Sequence, residues 1–254
     1  MSMEEFSLGD RVVVITGGAG RLGRRFAQTV LRHGGRVCLL DPGFAASERI
    51  SDRELRMAVD ITNSEQVKSA SEEIRRSMGP VYGLINNACL QPEGFFRSME
   101  EYSLETWRKV MAVNVDGLFI CSQVFGREMA DNGEGSIIHI SSIYGVSGPD
   151  FSLYKDLSFN TPPSYAASKA AVLGLTRYMA TYWGHRGVRV NAITPGGVQD
   201  GQPEIFVNRY SKRTPLGRMA KTNEMDGAAI FLLSDASSYV TGHNLAVDGG
   251  WSVW

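Results

Sequence analysis

Arg11-Val-Val-Val-Ile-Thr16 runs directly into Gly17-Gly-Ala-Gly-Arg-Leu-Gly23, and a helical stretch continues to about His33. An apolar, β-branched run of this length reads as a buried central strand. Glycines just after it permit a tight turn and close backbone approach, and the start of the next helix offers unpaired N–H groups to an anion. Such a loop is weak evidence alone; with a strand before it and a helix after it, it points to a dinucleotide pyrophosphate. Arg36-Val-Cys-Leu-Leu-Asp41 follows as a second strand ending in an acid. Asp41 lies 18 residues past Gly23, where such a unit places the carboxylate that holds the adenosine ribose hydroxyls.

Asp41 also bears on which dinucleotide is bound. The extra phosphate of NADP would meet it as a like charge, and two like charges ~4 Å apart near a surface cost on the order of 4 kcal/mol. NAD is therefore favoured over NADP. Arg21, Arg24 and Arg25 pull the other way, because a basic loop suits that phosphate, although Arg24 and Arg25 also read as a solvated helix face.

Working outward, strands and helices alternate along the chain, as a parallel sheet covered on both faces requires. Further strands are expected over 54–60, 81–88, 136–142, 188–194 and 244–247. Helices are expected over 64–78, capped by Thr62 or Ser64, then 104–130, 166–183 and 225–234. No internal repeat, low-complexity tract or linker interrupts this pattern, so one domain over 1–254 is the economical answer.

Composition excludes several function classes. Charged residues make up 21% of 254 and the net charge is −1, which argues against nucleic acid or an anionic membrane as a partner. No uncharged run approaches the roughly 18 residues of a membrane span, and the start of the chain lacks the basic and apolar segments of a secretion signal. Cys38, Cys89 and Cys121 have no paired spacing and read as small buried hydrophobes in a reducing compartment. Four scattered histidines give no metal-ligand cluster. A cytoplasmic protein acting on a small molecule is expected.

The chemistry is suggested by Thr161-Pro-Pro-Ser-Tyr165-Ala-Ala-Ser-Lys169. Residues four apart share a helix face, so the phenol and the ammonium can enter one cleft. A free Tyr has a pKa of about 10, and bringing it to neutrality needs roughly 4 kcal/mol of differential stabilisation. One partly desolvated cation at short range supplies energy of that order. The bland alternative is a chance pair on a solvated helix face. Asn114 lies mid-helix, and its bland reading is a core amide bonded to a neighbouring loop.

Taken together, these residues resemble the short-chain dehydrogenase/reductase family over essentially the whole chain. The matching motifs are Thr16-Gly17 with Gly23, Asp60, Asn86-Asn87-Ala88, Asn114, Ser141-Ser142, Tyr165-x-x-x-Lys169, Asn191 and Pro195-Gly196. The resemblance implies a single doubly wound α/β domain of Rossmann type with a seven-stranded parallel sheet, usually assembled as a homotetramer or dimer through its long helices. It implies that Tyr165 is the general acid/base, that Lys169 lowers its pKa and bonds the nicotinamide ribose, and that Ser142 orients the substrate oxygen. Asn114 would hold a water in a proton relay. For the cofactor it implies Gly17, Gly20, Arg21, Leu22 and Gly23 at the pyrophosphate and Asp41 on the ribose. Asp60 and Ile61 would lie near adenine, Asn87 and Ala88 behind the cofactor, and Pro195, Gly196 and Val198 at the nicotinamide carboxamide.

Three departures from the family pattern stand out. Arg21 replaces a frequent glycine of the loop, which leaves its local shape open. Asp200 replaces a frequent threonine. Ser142 and Tyr165 are 23 residues apart, a longer interval than members usually have. The extra segment, about 149–160, must emerge beside the substrate mouth; a surface excursion or an oligomer contact is the equal alternative. Its aromatic and polar mixture suits a carbohydrate-like ligand, with Tyr154 and Asn160 as candidate contacts. A mobile lid is expected over 198–216, with Gln202 and Arg209 as further candidates; its bases would meet a phosphate or else solvent. The insert, the Asn160-Thr-Pro-Pro-Ser-Tyr run and the Thr214-Pro-Leu-Gly-Arg-Met stretch are similar to family members of bacterial surface-sugar and flagellin-glycan pathways. The implied activity is NAD-dependent oxidation or reduction at a CH–OH group of a sugar-like substrate. Alternatives are a 3-oxoacyl or other apolar ketone reductase, and a non-catalytic dinucleotide-binding protein. Trp251 and Trp254 read as core closure or as contacts to a neighbouring subunit.

Overall fold

The computed structural model describes residues 3–254; residues 1 and 2, at the start of the segment read for a secretion signal, lie outside it. Eight strands form one sheet: β1 Val12–Thr16, β2 Arg36–Leu40, β3 Glu48–Ser51, β4 Glu54–Met57, β5 Val81–Asn86, β6 Gly135–Ile140, β7 Val188–Pro195 and β8 Asn244–Val247. Their order is β3-β4-β2-β1-β5-β6-β7-β8. Seven strands are parallel as expected, and β3 adds an antiparallel edge to β4. The strand β3 has no apolar alternation and all four residues are exposed, so its sequence carries no strand signal. Its Glu48 and Arg49 suit an edge that must not recruit another strand.

Alternation along β1 explains the two-layer core. Val12 and Val14 face the layer holding helices α2 (Ser64–Met78), α4 (Leu118–Asn132) and α5 (Pro163–Trp183). Val13 and Ile15 face α1 (Arg21–Arg32) and α7 (Asp226–Leu233) on the other side. Strand order reverses between β1 and β5, and ligands of such sheets bind in the crevice at the carboxyl ends there.

Several element boundaries differ from the sequence expectation. Strand β4 stops three residues before Asp60, whose Oδ1 accepts hydrogen bonds from the N–H and hydroxyl of Thr62 at 2.9 and 2.8 Å. That engages Thr62, and Asn63 caps α2 instead, accepting from Glu65 and Gln66 N–H. The expected helix over 104–130 is continuous but changes winding. α3 (Leu104–Met111) passes into a π-helical segment, Ala112–Gly117, before α4. Such π segments often mark functional sites, and Asn114 lies within this one. Helix α5 begins at Pro163, where a missing N–H costs nothing.

A third apolar cluster stands outside the two layers. It joins Ile143 and Leu153 to Phe206 and Tyr210 of α6 (Glu204–Arg213), and to Met219 and Trp251. The insert and the α6 segment therefore pack on each other. Trp251 stacks on Tyr210 with ring centroids 4.4 Å apart, whereas Trp254 stays exposed and donates its indole N–H to the Arg213 carbonyl. Among the described residues, no helix is long and apolar enough to cross a membrane.

Candidate active site

The carboxyl ends of β1, β5, β6 and β7 converge on a cleft of about 550 Å³. Its floor is built by backbone-directed side chains. Thr16 ends β1, and its hydroxyl accepts from the N–H groups of Asn87 and Ala88 at 3.0 and 3.1 Å. Asn87 returns its amide N–H to the carbonyl oxygens of Thr16 and Gly17. These bonds fix the glycine loop against the end of β5.

The loop is a cradle that side chains would fill. Gly17 has φ +66°, and a Cβ there would sit 2.8 Å from the Ala88 Cα. A Cβ on Gly23 would collide with the Gly17 carbonyl oxygen. Gly20 caps α1 without a side-chain hydrogen bond, leaving the first helical N–H groups for an anion. Arg21 does not disturb the loop. It is already the first residue of α1, so the glycine missing there is not needed. Its guanidinium instead spans the cleft, donating to the Gln199 carbonyl at 3.1 Å and pairing with Asp200. Two departures from the family pattern thus meet each other.

Asp41 follows β2 and accepts from Ala19 N–H at 3.0 Å and Gly43 N–H at 2.8 Å. Each carboxylate oxygen has a further lone pair for a ribose hydroxyl. The glycine loop, the free helix start and this carboxylate fit a nicotinamide dinucleotide. Asp60 is exposed beyond β4. Ile61 is buried against the π-helical segment, where a Cβ on Gly117 would lie 2.7 Å from it. Pro195, Gly196 and Val198 line the cleft from the end of β7. Asn191 is structural, bonding the Val240 carbonyl and His243 N–H.

Tyr165 and Lys169 enter the cleft from successive turns of α5, and Ser142 enters from the end of β6. The Lys169 ammonium is buried, donates to the Ile140 carbonyl at 2.8 Å and lies 5.6 Å from the Tyr165 ring centroid. The spacing predicts a lowered phenol pKa. In the chain alone burial outweighs every other influence and holds Tyr165 above its ordinary value, while Ser142 acts as a hydrogen-bond partner that pulls it down. Burial likewise pushes Lys169 down. Each group resists charging by itself, and each charge would favour the other.

Asn114 has loop and helix partners for its side chain. Its Oδ1 accepts from Leu90 N–H at 3.0 Å and its amide donates to the Ser168 hydroxyl at 3.1 Å. It ties the loop after β5 to the turn of α5 between Tyr165 and Lys169. The other substrate candidates separate. Tyr154, Asn160 and Gln202 line the cleft. Arg209 does not; it donates to the carbonyls of Leu153 and Lys155 and holds the insert to α6.

Phe159 of the insert lines the cleft, and so do residues the sequence reading missed: Gln91, Phe95 and Phe96 from the loop after β5, with Tyr144. The position of that loop at a strand's carboxyl end was the available signal. Cys38 and Cys121 are buried as expected, but Cys89 is exposed in the cleft because its loop runs past the sheet edge. Among the described residues, no cluster suited to a metal ion occurs.

Comparison with known proteins decides the family. Residues 18–252 match a family model described as enoyl-(acyl carrier protein) reductase. The chain belongs to the short-chain dehydrogenase/reductase family. It is 37% identical over 265 aligned positions to galactitol 2-dehydrogenase (L-tagatose-forming) of Cereibacter sphaeroides, covering 98% of each chain. Among solved structures, a short-chain dehydrogenase of Leptospira borgpetersenii with bound NAD+ superposes with TM-score 0.89 at 36% identity, covering 98% of this chain and 95% of that one. A gluconate 5-dehydrogenase of Burkholderia cenocepacia in complex with NADP and tartrate has TM-score 0.86 at 29% identity and full coverage of both chains. The protein is accordingly a dehydrogenase/reductase acting on CH–OH groups with a nicotinamide cofactor.

Proposed function

We propose that this short-chain dehydrogenase/reductase is NAD-dependent and interconverts a secondary alcohol and a ketone on a polar, sugar-like substrate, with Tyr165 as acid/base. One observation carries the reading: Tyr165, Lys169 and Ser142 share a cleft with the glycine-loop end and with an aromatic, hydroxyl-bearing insert. The galactitol and gluconate relatives support the substrate class.

Gly17, Gly20, Leu22, Gly23 and the start of α1 hold the pyrophosphate, with Arg21 beside them. Asp41 holds the adenosine ribose and disfavours a phosphate on it. Asp60 and Ile61 flank the adenine side and Asn87 and Ala88 lie behind the cofactor, while Pro195, Gly196 and Val198 bound the nicotinamide side. When bound, the dinucleotide supplies the hydride acceptor or donor. In oxidation Tyr165 takes the hydroxyl proton of the carbinol, and in reduction it returns a proton to the carbonyl oxygen. Ser142 orients that oxygen. Lys169 stabilises the phenolate and bonds the nearer ribose. Asn114 ties α5 to the cofactor floor and holds a water in the proton relay. The insert at 149–160 forms the substrate wall and the 198–216 segment its lid.

A second reading rests on the rings of Phe95, Phe96, Phe159 and Phe206 around the cleft, which would suit an apolar ketone. We place the enzyme in the cytoplasm as a homo-oligomer. The exposed, stacked Tyr178 and Tyr182 on α5 support packing between subunits.

The test is turnover with NAD and with NADP across sugars, polyols and acyl ketones, with Tyr165→Phe beside the native enzyme. Loss of a general acid/base removes about 10²–10⁴ in kcat. Unchanged turnover in Tyr165→Phe would sink the mechanism, and turnover confined to acyl ketones would sink the substrate class.

A further inference from the structure

We infer that the substrate is electrically neutral, a polyol or the matching hydroxy-ketone, and that Asn160 selects it by bonding one of its hydroxyls. This rests on the reading of Tyr165 as acid/base in the cleft described above.

Among the described residues, both cations that line the cleft are already engaged, and two arginines of the adjoining α6 are too. Arg21 pairs with Asp200 and the Gln199 carbonyl. Lys169 is buried against the Ile140 carbonyl. Arg209, read from the sequence as a phosphate or substrate contact, turns away to the insert's backbone, near Asp156. Arg213 donates to the Trp254 carbonyl and lies over the Trp251 ring. Among the described residues, Arg21 and Lys169 are the only basic side chains lining the cleft.

What faces a substrate instead is aromatic surface with neutral polar groups. Phe95, Phe96 and Phe159 follow edge to face, with ring centroids 5.0 and 6.1 Å apart. Thr161 donates to the Tyr154 hydroxyl at 2.6 Å, and Tyr154 and Tyr144 share a hydrogen bond at 2.7 Å. Those phenols are held in place and stay neutral, because burial raises both. Asn160 differs from them. Its Oδ1 is buried without an intramolecular partner, in a residue that lines the cleft.

An unpaired buried amide oxygen is costly, and a hydroxyl relieves that cost in either amide orientation because it both donates and accepts. A carboxylate meets the reverse situation. It would leave water for a wall of rings and engaged cations, with no free counter-charge. Aromatic faces meanwhile suit the C–H face of a polyol. The cleft thus rewards hydroxyls and penalises charge.

The experiment measures kcat/KM of the purified enzyme for hexitols and their ketoses, for aldonates of the same carbon skeleton, and for hexitol phosphates. The neutral compounds should exceed both anionic sets by at least about tenfold, the equivalent of one uncompensated polar contact. Asn160→Leu should lower the hexitol-to-cyclohexanol ratio of kcat/KM by about tenfold. Gln202→Arg should raise the aldonate-to-hexitol ratio. Binding isotherms of the same compounds on cofactor-loaded Tyr165→Phe read the selectivity independently of chemistry. An aldonate or phosphate matching or exceeding its hexitol, or an unchanged ratio in Asn160→Leu, overturns this inference and leaves the polar-alcohol reading standing. Turnover and binding of apolar ketones alone overturn both.

Discussion

The two halves of the cleft are made from different materials. The cofactor half, from β4 to β5, is backbone held by backbone: glycines without room for a Cβ, Thr16 and Asn87 bonding main-chain groups, and Asp41 accepting from two N–H groups. The substrate half, beyond β6, is side chain on side chain, with the rings of the insert packed on those of α6. A ligand common to a family can be held by main-chain geometry, which many sequences supply. A ligand particular to one enzyme needs side chains, and loops can change those without disturbing the sheet.

That contrast predicts that changes in the first half move cofactor parameters and leave substrate ranking alone. The largest effect belongs to Asp41→Ala. Removing a like charge facing the extra phosphate should raise the NADP-to-NAD ratio of kcat/KM by up to about a thousandfold. Steady-state kinetics with both cofactors checks it, and a ratio that does not move would mean that the ribose is read elsewhere. Gly23→Ala comes next. Its Cβ meets the Gly17 carbonyl, and overpacking of this kind costs about 1–3 kcal/mol. Denaturant unfolding should register that loss, and cofactor KM should rise while the order of substrates is retained.

Beneath both halves runs a buried network that should affect stability and neither selectivity. His139 bonds Thr176 and Ser122, and Asn86 bonds Ser122. Burial pulls the imidazole down to about 3. The unfolded chain protonates this residue near pH 6.5 while the folded chain does not, so stability falls as pH drops below about 6.5. The expected loss is about 1.4 kcal/mol at pH 5.5. Unfolding curves at pH 7.5 and 5.5 should show it, and His139→Gln should remove that part of the slope.

The smallest effect lies where the halves touch. Arg21 and Asp200 are 40% and 61% exposed, and surface ion pairs are worth little. Arg21→Gln and Asp200→Asn should each raise cofactor KM by no more than about fivefold. The double variant should resemble either single one, and added salt should weaken the native enzyme toward them. Additive effects would show that the two residues act separately.

Much of the cofactor half was legible because its signals are local. A strand, a glycine loop and a helix lie consecutively in the chain, and Asp41 sits at a fixed interval from Gly23. The edge strand β3 escaped because its four residues are all exposed, and Ile50 alone among them gives no apolar alternation. Asn114 was found, but its side-chain partners were not, since the sequence does not say that Leu90 and Ser168 lie within its reach. Arg209 was assigned to substrate because a charge on a lid helix carries no mark of its direction; the insert's carbonyls take it.

The order of strands and helices, the glycine cradle, the acid after β2 and the Tyr165–Lys169 pair on one helix face were set by sequence alone, because each depends on neighbours a few residues away or on a repeated period. Only the tertiary structure decided that Arg21 meets Asp200, that burial dominates the Tyr165 phenol, that Cys89 is open to the cleft, and that Asn160, a lining residue, buries an unpaired amide oxygen. Each of those rests on which distant segments touch and how much water they exclude, and chain packing alone determines both.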